Sequence, residues 1–424
     1  MSLQLSRFGP RGTRLTAAES RRLHPCQAAE WQTARVVLLC EPDVETLFGI
    51  LETHSANFLH PFDLVRAKAE HRRFREELEA RGARVIDLRQ ALTCGCIDQA
   101  DEPVPGEKLD RLRRAADAAL TYDFDAAIGP DDRRELLESK WETIRGFHPD
   151  ILADLVLLRP TVTIRPNPRP LDPTSRFVSE FRLEPADNQY FLRDPMITTR
   201  RGVAIGRFRL DVRKAENDNV ALALEQMGIE PVVRVAAPGH LEGGDFLPAG
   251  DLVFQGVGLL SDDDGIAQLL EARAYGYVEV AVVRDPRAEM DEMHLDTYFN
   301  LLAPRLAVLC EDRLRGSDEP TVELYRPEGT PDSYRYRLVE RWRFGHFLES
   351  RGFEVIPFTK DEQEAFAPNY LLTAEGSLVG VASAGASFEE RLRAHGVRTH
   401  MMDFTALTGG YGGPHCMSQV IVRG

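Results

Sequence analysis

The sequence predicts an α/β fold in which several β-rich units surround a shared centre. Short apolar segments recur in pairs separated by turn residues, a pattern typical of β-hairpins. Segments with helical periodicity lie between these pairs, which disfavours a single parallel sheet with one crossover per strand. The chain has 424 residues, of which 43% are hydrophobic, and this is enough apolar material for a large core.

The first predicted α/β unit begins at residue 34, after an irregular leader over residues 1–33. ARVVLLC, residues 34–40, predicts a strand, and the segment from Pro61 to Ala80 has helical periodicity. Gly82 suits a helix C-cap and precedes the strand predicted in ARVIDL. Residues 106–158 are predicted to be an all-helical insertion, which ends at a proline-rich, extended stretch over residues 159–175.

The α/β alternation returns after the proline-rich stretch and continues along the chain. Paired strands are predicted in YFLRDPMITTRRGVAIGRF, GGDFLPAGDLVFQGVG and YLLTAEGSLVGVAS. Helices are predicted near Glu216–Met227, Gly265–Ala274 and Phe388–His395, with further strands in PVVRVA, YVEVAVVR, FEVIPF and QVIVR. Residues 34–424 are therefore predicted to form one large domain that contains the insertion.

The composition disfavours several classes of function. The chain carries 52 Lys and Arg against 67 Asp and Glu, and its formal net charge of −15 repels nucleic acid and anionic membranes but suits a cationic substrate. No apolar run reaches the ~20 residues of a membrane span, and the N-terminal segment lacks the apolar core of a secretory signal. We therefore predict a soluble protein; the sequence favours no particular oligomeric state.

The cysteine content indicates reduced thiols in a cytoplasmic protein. Six cysteines in a chain of this length do not make a disulfide framework. Cys94 and Cys96 do not form a zinc pattern, because no second Cys or His pair lies near them. One cysteine is therefore free to act as a nucleophile, and no metal site is predicted.

Four segments carry ionisable side chains, in three of them next to glycine or proline. Taken singly, each has a structural explanation, since Asp before Pro is a common turn former and a buried Cys is commonly inert. Together they supply a Cys, a His, a Glu and two Asp. The segments are NQYFLRDP at residues 188–195, HLEGGD at 240–245, MHLDT at 293–297 and GGPHCMS at 412–418.

This combination suits attack on a guanidinium group, which is planar, cationic and a poor electrophile. Carboxylates on its edges accept paired N–H bonds and fix its plane, so that a thiolate approaches the central carbon from the face. The thiolate is favoured beside a cation and is a strong nucleophile. A nearby His protonates the departing amine and later deprotonates water. No organic cofactor is needed.

The four ordered segments resemble those of the guanidine-modifying superfamily, and of arginine deiminase most closely. The resemblance implies a five-bladed, pseudo-symmetric α/β propeller of ββαβ-type units, with residues 34–424 as the catalytic domain and residues 106–158 as its helical insertion. It also implies that Cys416 is the nucleophile and His294 the general acid and base. Glu242 would orient His294, and Asp194 and Asp296 would grip the guanidinium nitrogens.

The resemblance also implies residues that bind the far end of the substrate, and here the chain departs from the family. Asn188 would contact the α-amino-acid end, and Arg213 would bind its carboxylate. Leu260 stands where arginine deiminases carry a second carboxylate-binding Arg, and His415 stands where they carry an Arg before the nucleophile. These replacements weaken the expectation that free arginine is the substrate, because the ion-pair partners of its carboxylate are lost.

The sequence predicts hydrolysis of a small cationic guanidino substrate through a covalent thiouronium on Cys416. With arginine, the products would be citrulline and ammonia. Two enzymatic alternatives stay open: transfer of the amidino group to an amine, and hydrolysis of a different guanidino compound. A regulator or scaffold that binds guanidines without turnover is a third alternative.

Overall fold

A computed structural model describes residues 14–171, 176–316, 318–330 and 333–424 of the chain. These residues form a mixed α/β fold, which confirms the predicted class at that level. The leader predicted over residues 1–33 lies partly outside the described residues, and its described part contains a one-turn helix, α1, at Ala17–Ser20. Among the described helices, none has the length and apolar character that crossing a membrane requires.

Five sheets of the described chain share one pattern. An antiparallel pair of strands is extended by a third strand that is parallel to one member of the pair and follows that member in the chain, whereas in the remaining described sheet the parallel strand comes first. The strands are β1 Ala34–Leu39, β2 Arg84–Asp87, β3 Thr121–Phe124, β4 Pro160–Pro166, β5 Phe177–Leu183, β6 Met196–Thr199, β7 Gly202–Ile205, β8 Val233–Arg234, β9 Phe246–Ala249, β10 Leu252–Val257, β11 Glu279–Arg284, β12 Phe299–Ala303, β13 Leu306–Cys310, β14 Thr321–Thr330, β15 Ser333–Arg343, β16 Glu354–Phe358, β17 Leu371–Ala374, β18 Ser377–Val381, β19 Arg398–Met402 and β20 Gln419–Arg423. The five sets are β20-β1-β2, β6-β7-β8, β9-β10-β11, β12-β13-β16 and β17-β18-β19.

A helix lies between the second and third strand of each set, because a parallel third strand requires a crossover connection. The helices that follow α1 are α2 Val44–Leu51, α3 Thr53–Ala56, α4 Leu64–Ala80, α5 Leu88–Leu92, α6 Glu107–Ala119, α7 Pro130–Gly146, α8 Pro149–Leu158, α9 Lys214–Met227, α10 Asp263–Glu271, α11 Phe344–Ser350, α12 Lys360–Glu364, α13 Ala386–Ala394 and α14 Pro414–Met417. The crossover helices are α4, α9, α10, α11 and α13.

Helix α4 illustrates how local sequence sets the element boundaries. It begins after Asp63, whose carboxylate accepts the Arg66 N–H at 2.8 Å and caps the first turn. Phe74 and Leu78 lie four residues apart on its buried face. Gly82, with φ at +87°, follows the helix in the left-handed conformation that glycine adopts without strain. The predicted helix is confirmed, but it begins at Leu64, after the Asp63 cap, and not at Pro61.

The segment over residues 106–158 is not all-helical, which corrects the prediction. It contains α6, α7 and α8, but β3 lies between α6 and α7 and pairs in parallel with β4, which in turn pairs with β5. Only Tyr122 and Phe124 of this four-residue strand face inward, where they pack against Val162 and Ile164. Two inward residues are too few to establish a period of two in the sequence.

A long hairpin of β14 and β15 has no counterpart in the sequence-based prediction. It pairs with β11 and extends that sheet to five strands. Charged side chains dominate its outer half, so apolar alternation is weak. Glu323 of β14 instead accepts from Arg284 at 2.7 Å and from Arg341 at 3.0 Å, and such cross-strand ion pairs support a solvated sheet face.

The main core lies against the sheets that contain β10 and β12. The rings of Phe254 and Phe299 lie 5.1 Å apart, and Phe344 of α11 lies 4.9 Å from Phe299, all fully buried. Burying each such side chain contributes roughly 1.5–3 kcal/mol. This packing anchors β10 and β12, and the segment that enters β12 carries part of the candidate site.

Candidate active site

The predicted chemical residues occupy the same position in four of the five strand sets. Asp194 immediately precedes β6, Glu242 precedes the short turn into β9, His294 and Asp296 precede β12, and Cys416 lies in the one-turn helix before β20. Each therefore lies where the chain enters the first strand of an antiparallel pair. Because one topological position is used repeatedly, residues separated by more than 200 positions in sequence meet in one place.

Hydrogen bonds connect the four segments directly. The Gly243 N–H donates to the Asp194 carbonyl at 2.9 Å, and the Arg193 N–H donates to the Cys416 carbonyl at 3.0 Å. The Leu295 N–H donates to the Asp245 carboxylate at 2.9 Å. Such backbone links hold the functional side chains at fixed separations.

The paired glycines of HLEGGD are required by close packing. A Cβ atom on Gly243 would lie 1.9 Å from the Arg193 carbonyl oxygen, and one on Gly244 would lie 2.6 Å from Nδ1 of His294. Any side chain there would displace backbone or the imidazole. The glycines therefore allow the Glu242 segment to lie directly against the His294 ring.

The Cys416 thiol is buried between a hydrogen-bond donor and a carboxylate. Its Sγ accepts from Nδ2 of Asn369 at 2.9 Å and lies 4.0 Å from Oδ2 of Asp296. Burial raises the pKa of the thiol well above its ordinary value, and Asp296 and Asp194 raise it further, while Asn369 opposes them. The empty site therefore favours the neutral thiol, and a cation placed beside Sγ would favour the thiolate.

His294 is held by carboxylates. Its Nε2 lies 3.1 Å from Oε2 of Glu242, and its Nδ1 lies 3.9 Å from Oδ1 of Asp194. Burial by itself lowers the pKa of His294, but Asp194, Glu242 and Asp245 together outweigh burial and raise the pKa to about 10. The imidazole is therefore protonated near neutral pH and is able to donate a proton.

Asp194 and Asp296 each have one buried oxygen that accepts no hydrogen bond from the described residues. Oδ2 of Asp194 accepts from Arg213 at 2.8 Å, and Oδ2 of Asp296 lies 2.6 Å from Nδ1 of His415. Oδ1 of both carboxylates is buried and accepts no hydrogen bond from the described residues. Unsatisfied buried acceptors are rare and costly, so these two oxygens indicate a place for a cationic donor.

Asn188 and Arg213 line the same cavity, but Arg213 is already fully engaged. Its Nε and Nη2 donate to Glu216 at 2.9 and 2.8 Å, and its Nη1 donates to Asp194 at 2.8 Å. The Asn188 amide donates to the Ala56 carbonyl at 2.7 Å. The binding of a substrate carboxylate by Arg213 therefore stays a prediction that would require these ion pairs to rearrange.

The two residues that depart from the family pattern both lie at the site. Leu260 is buried and contributes an apolar wall to the cavity. His415 faces Asp296, and burial together with Arg193 and Arg423 lowers its pKa well below the ordinary value. A neutral His415 places its Nδ1 2.6 Å from Oδ2 of Asp296, so it occupies one oxygen of that carboxyl group without adding positive charge.

The cavity at the site consists of a narrow inner part and a wider outer chamber. The inner cavity, of about 40 Å³, is lined by residues that include Asp194, Arg213, His294 and Cys416. The outer chamber, of about 310 Å³, shares Met293, Thr297 and Tyr411 with it and is also lined by Asn369. The narrow inner cavity has room for a small flat group, and the wider outer chamber has room for the remainder of a substrate.

Asn369 is a candidate that sequence reasoning missed. It precedes β17 and so belongs to the fifth strand set, at the position that the other candidates occupy in theirs. Besides the bond to Sγ, its Oδ1 accepts from the Gly413 N–H at 2.9 Å and the Cys416 N–H at 3.2 Å. A lone Asn in APNY has no distinctive spacing, and only its position before a predicted hairpin could have indicated it.

Replacing Asn369 with alanine is expected to lower kcat/KM for guanidine hydrolysis roughly 100-fold, the cost of losing one preorganised donor. The thiol would also alkylate only at higher pH, because the Nδ2–H no longer stabilises the thiolate. Asn219→Ala is the matched control, since this buried Asn donates to Gln189 at 2.8 Å and does not contact Cys416. An unchanged pH profile in Asn369→Ala would contradict the assignment.

Comparison with known proteins agrees with the resemblance seen in the motifs. A DDAH from Pseudomonas aeruginosa in complex with citrulline aligns with a TM-score of 0.52 at 14% identity, over 91% of this chain and 99% of that chain. An amidinotransferase of saxitoxin biosynthesis from Microseira wollei aligns with a TM-score of 0.51 at 13% identity, over 94% and 97%. The chain therefore has the fold of the guanidine-modifying enzymes.

The family model for arginine deiminase matches residues 57–423, and the chain belongs to this family. The arginine deiminase of Halobacterium salinarum is 25% identical over 398 residues, which cover 77% of this chain and 78% of that protein. The arginine deiminase of Listeria welshimeri is 27% identical over 260 residues, which cover 57% and 63%. The chain is accordingly a guanidino hydrolase of the arginine deiminase type, as the motifs predicted.

Proposed function

We propose that the chain hydrolyses a small guanidino substrate through a covalent intermediate on Cys416. The observation that carries this proposal is a pair of buried oxygens, Oδ1 of Asp194 and Oδ1 of Asp296, that accept no hydrogen bond from the described residues, in two carboxylates whose charges act on the Cys416 thiol. A guanidinium group supplies both the charge and the N–H donors that they lack. No metal or organic cofactor is assigned a role.

The proposal includes a five-bladed arrangement of the five strand sets around the site. Its support is the repeated placement of functional residues before β6, β9, β12, β17 and β20. Residues 34–424 form the catalytic domain in this proposal, residues 106–158 an insertion within it and residues 1–33 a leader. We place the protein in the cytoplasm, where its free cysteines stay reduced, and we assign it no nucleic-acid or membrane partner.

In the first half of the reaction, the guanidinium lies against Asp194 and Asp296 with its carbon facing Sγ. Its positive charge lowers the pKa of the Cys416 thiol, which loses its proton to solvent. The thiolate then forms a bond to the central carbon and a tetrahedral adduct results. Protonated His294 gives its proton to one amino group, the C–N bond breaks, and ammonia leaves a thiouronium on sulfur.

In the second half, water adds to the thiouronium carbon. His294, neutral after its donation and held by Glu242, accepts a proton from this water. The C–S bond then breaks, the departing thiolate takes up the remaining proton of the added hydroxyl group, and the free thiol and a ureido product result. Glu242 and Asp194 stabilise the positive charge that His294 regains, so the acid is restored for the next cycle.

Product analysis separates this reaction from its alternatives. Incubation with guanidino substrates alone should release ammonia and the matching ureido compound in equal amounts. Amidino transfer would instead require an added amine and would release the alkyl amine of the donor. A binding protein without turnover would give neither product. Release that depends strictly on an added amine would overturn the hydrolase proposal.

Substrate binding is expected to release protons near neutral pH. Burial raises the pKa of Asp296 to about 7 in the empty site. A carboxyl group whose pKa is raised by folding favours its protonated form in the folded protein. Its contribution to the free energy of unfolding is therefore present at low pH and is lost as pH rises through about 7. A guanidinium cation reverses this preference and drives ionisation.

Calorimetry in two buffers of different ionisation enthalpy measures this release. At about pH 6.5, close to the raised pKa, part of a proton per bound ligand should come from Asp296. Asp296→Asn should remove that contribution while leaving any from the thiol. Net proton uptake by the unmodified protein on binding would contradict the account.

A further inference from the structure

The charged side chains around both parts of the cavity leave no available cation. Among the described lining residues, the charged groups of the inner cavity are Asp194, Arg213 and His294, and those of the outer chamber are Asp291 and Glu364. Arg213 is the one permanent cation in this set, and Glu216 and Asp194 bind it through three hydrogen bonds of 2.8 to 2.9 Å. Its charge is thus already neutralised.

Two buried acids adjoin residues of the cavity wall. Asp187 lies next to Asn188, and burial raises the pKa of Asp187 to about 6 and that of Glu216 to about 7. A carboxylate brought to this end would meet the apolar side chain of Leu260 and the Arg213 guanidinium, which Glu216 and Asp194 already bind. Burying an anion without a partner is strongly unfavourable, whereas a cation is favoured among carboxylates.

The outer chamber has the same acidic character. Glu364, at the end of α12, is exposed and forms no ion pair within the described chain, and Asp291 lies on the same wall. Lys360 lies nearby, but its ammonium is bound by Asp291 and by Glu292 at 3.1 Å. The chamber adjoins the thiol through Asn369, which lines it and contacts Sγ.

We infer that the preferred substrate is a guanidinoalkylamine: a guanidine whose far end carries an ammonium group and no free carboxylate. The ammonium lies in the outer chamber beside Glu364, while the guanidinium occupies the inner cavity. This inference rests on the proposed function, because it concerns the substrate of the same site. It separates this chain from a strict arginine deiminase, whose substrate carries a carboxylate.

The test compares three substrates by ammonia release. These are 4-guanidinobutylamine, L-argininamide and L-arginine, of which only L-arginine has a free carboxylate. The first two should exceed L-arginine in kcat/KM by about tenfold or more, the scale of one unfavourable charge contact. The difference should lie mainly in KM, because the reacting groups are the same. An equal or higher kcat/KM for L-arginine would overturn the inference.

Substitution of Glu364 tests where the ammonium lies. Glu364→Gln should lower kcat/KM for 4-guanidinobutylamine several-fold and change that for L-arginine less, because only the amine lacks a balancing carboxylate. Glu349→Gln is the matched control, since Glu349 is an exposed glutamate of α11 that lines neither part of the cavity. If Glu364→Gln left the ratio of kcat/KM for 4-guanidinobutylamine to that for L-arginine unchanged, the ammonium would not lie beside Glu364.

Binding measurements distinguish failure of this inference from failure of the proposed function. Calorimetry with Cys416→Ala reports the affinity for the same compounds without turnover. Tighter binding of the amine, together with no ammonia release by the unmodified protein, would reject the hydrolase and keep the inferred ligand. Ammonia release with L-arginine preferred would reject the inference and keep the hydrolase.

Discussion

Replacing Cys416 with alanine is expected to lower ammonia release from guanidino substrates by a factor of ~10⁴ or more, because the nucleophile is lost. The variant should still fold, since the side chain is small and alanine fills most of its space. It should still bind substrate, because Asp194 and Asp296 are unchanged. Steady-state ammonia assays with the purified variant measure the loss, and calorimetry measures the retained binding.

The matched control is Cys310→Ala. Cys310 is a free cysteine at the end of β13, is fully buried in the main core and lines neither part of the cavity. Its replacement should cost about 1 kcal/mol of unfolding free energy through the lost packing and leave turnover intact. If Cys416→Ala retained activity comparable to Cys310→Ala, the proposed nucleophile would be wrong.

Replacing His294 with glutamine should lower kcat by roughly 10² to 10⁴, the range for loss of a general acid and base. Glutamine retains a donor for Glu242 but cannot protonate the departing amino group. The limb of the pH profile assigned to His294, whose pKa is raised to about 10 in the empty site, should disappear. A pH series of kcat and kcat/KM with the variant and the unmodified enzyme measures both effects.

The pKa of His294 also has a consequence for stability. The folded value of about 10 lies above the ordinary 6.5, so the stabilisation from its carboxylates is complete below about pH 6.5 and is lost as pH rises through about 10. His71→Gln is the control, because this buried histidine of α4 lies away from the site and its pKa is lowered, to about 4, by burial. If the pH dependence of kcat changed equally in His294→Gln and His71→Gln, the role of His294 would be contradicted.

Three of the four sequence motifs were informative because glycine or proline lies beside ionisable residues in them, whereas MHLDT contains neither. HLEGGD illustrates this: Gly243 and Gly244 are required by backbone and imidazole contacts, and the Glu before them reaches His294. Such a constraint involves neighbouring positions, so it is visible in a single sequence. The mixed α/β class was predictable for a similar reason, since each crossover helix and strand has its own period.

Features that depend on pairs distant in sequence were not predictable. Asn369 contacts Cys416 across 47 positions and has no local signature. The engagement of Arg213 by Glu216 and Asp194 depends on where α9 places it against β6. Strand β3 and the β14-β15 hairpin were missed because tertiary pairing, rather than apolar alternation, stabilises them.

Mass spectrometry of the acid-quenched enzyme during turnover tests the central claim most directly. The peptide that contains Cys416 should carry an adduct whose mass equals the substrate minus ammonia, since the thiouronium retains the alkyl chain in hydrolysis. The adduct should be absent from Cys416→Ala. Turnover without any adduct on Cys416, or an adduct that contains only the amidino carbon and its nitrogens, would contradict the account.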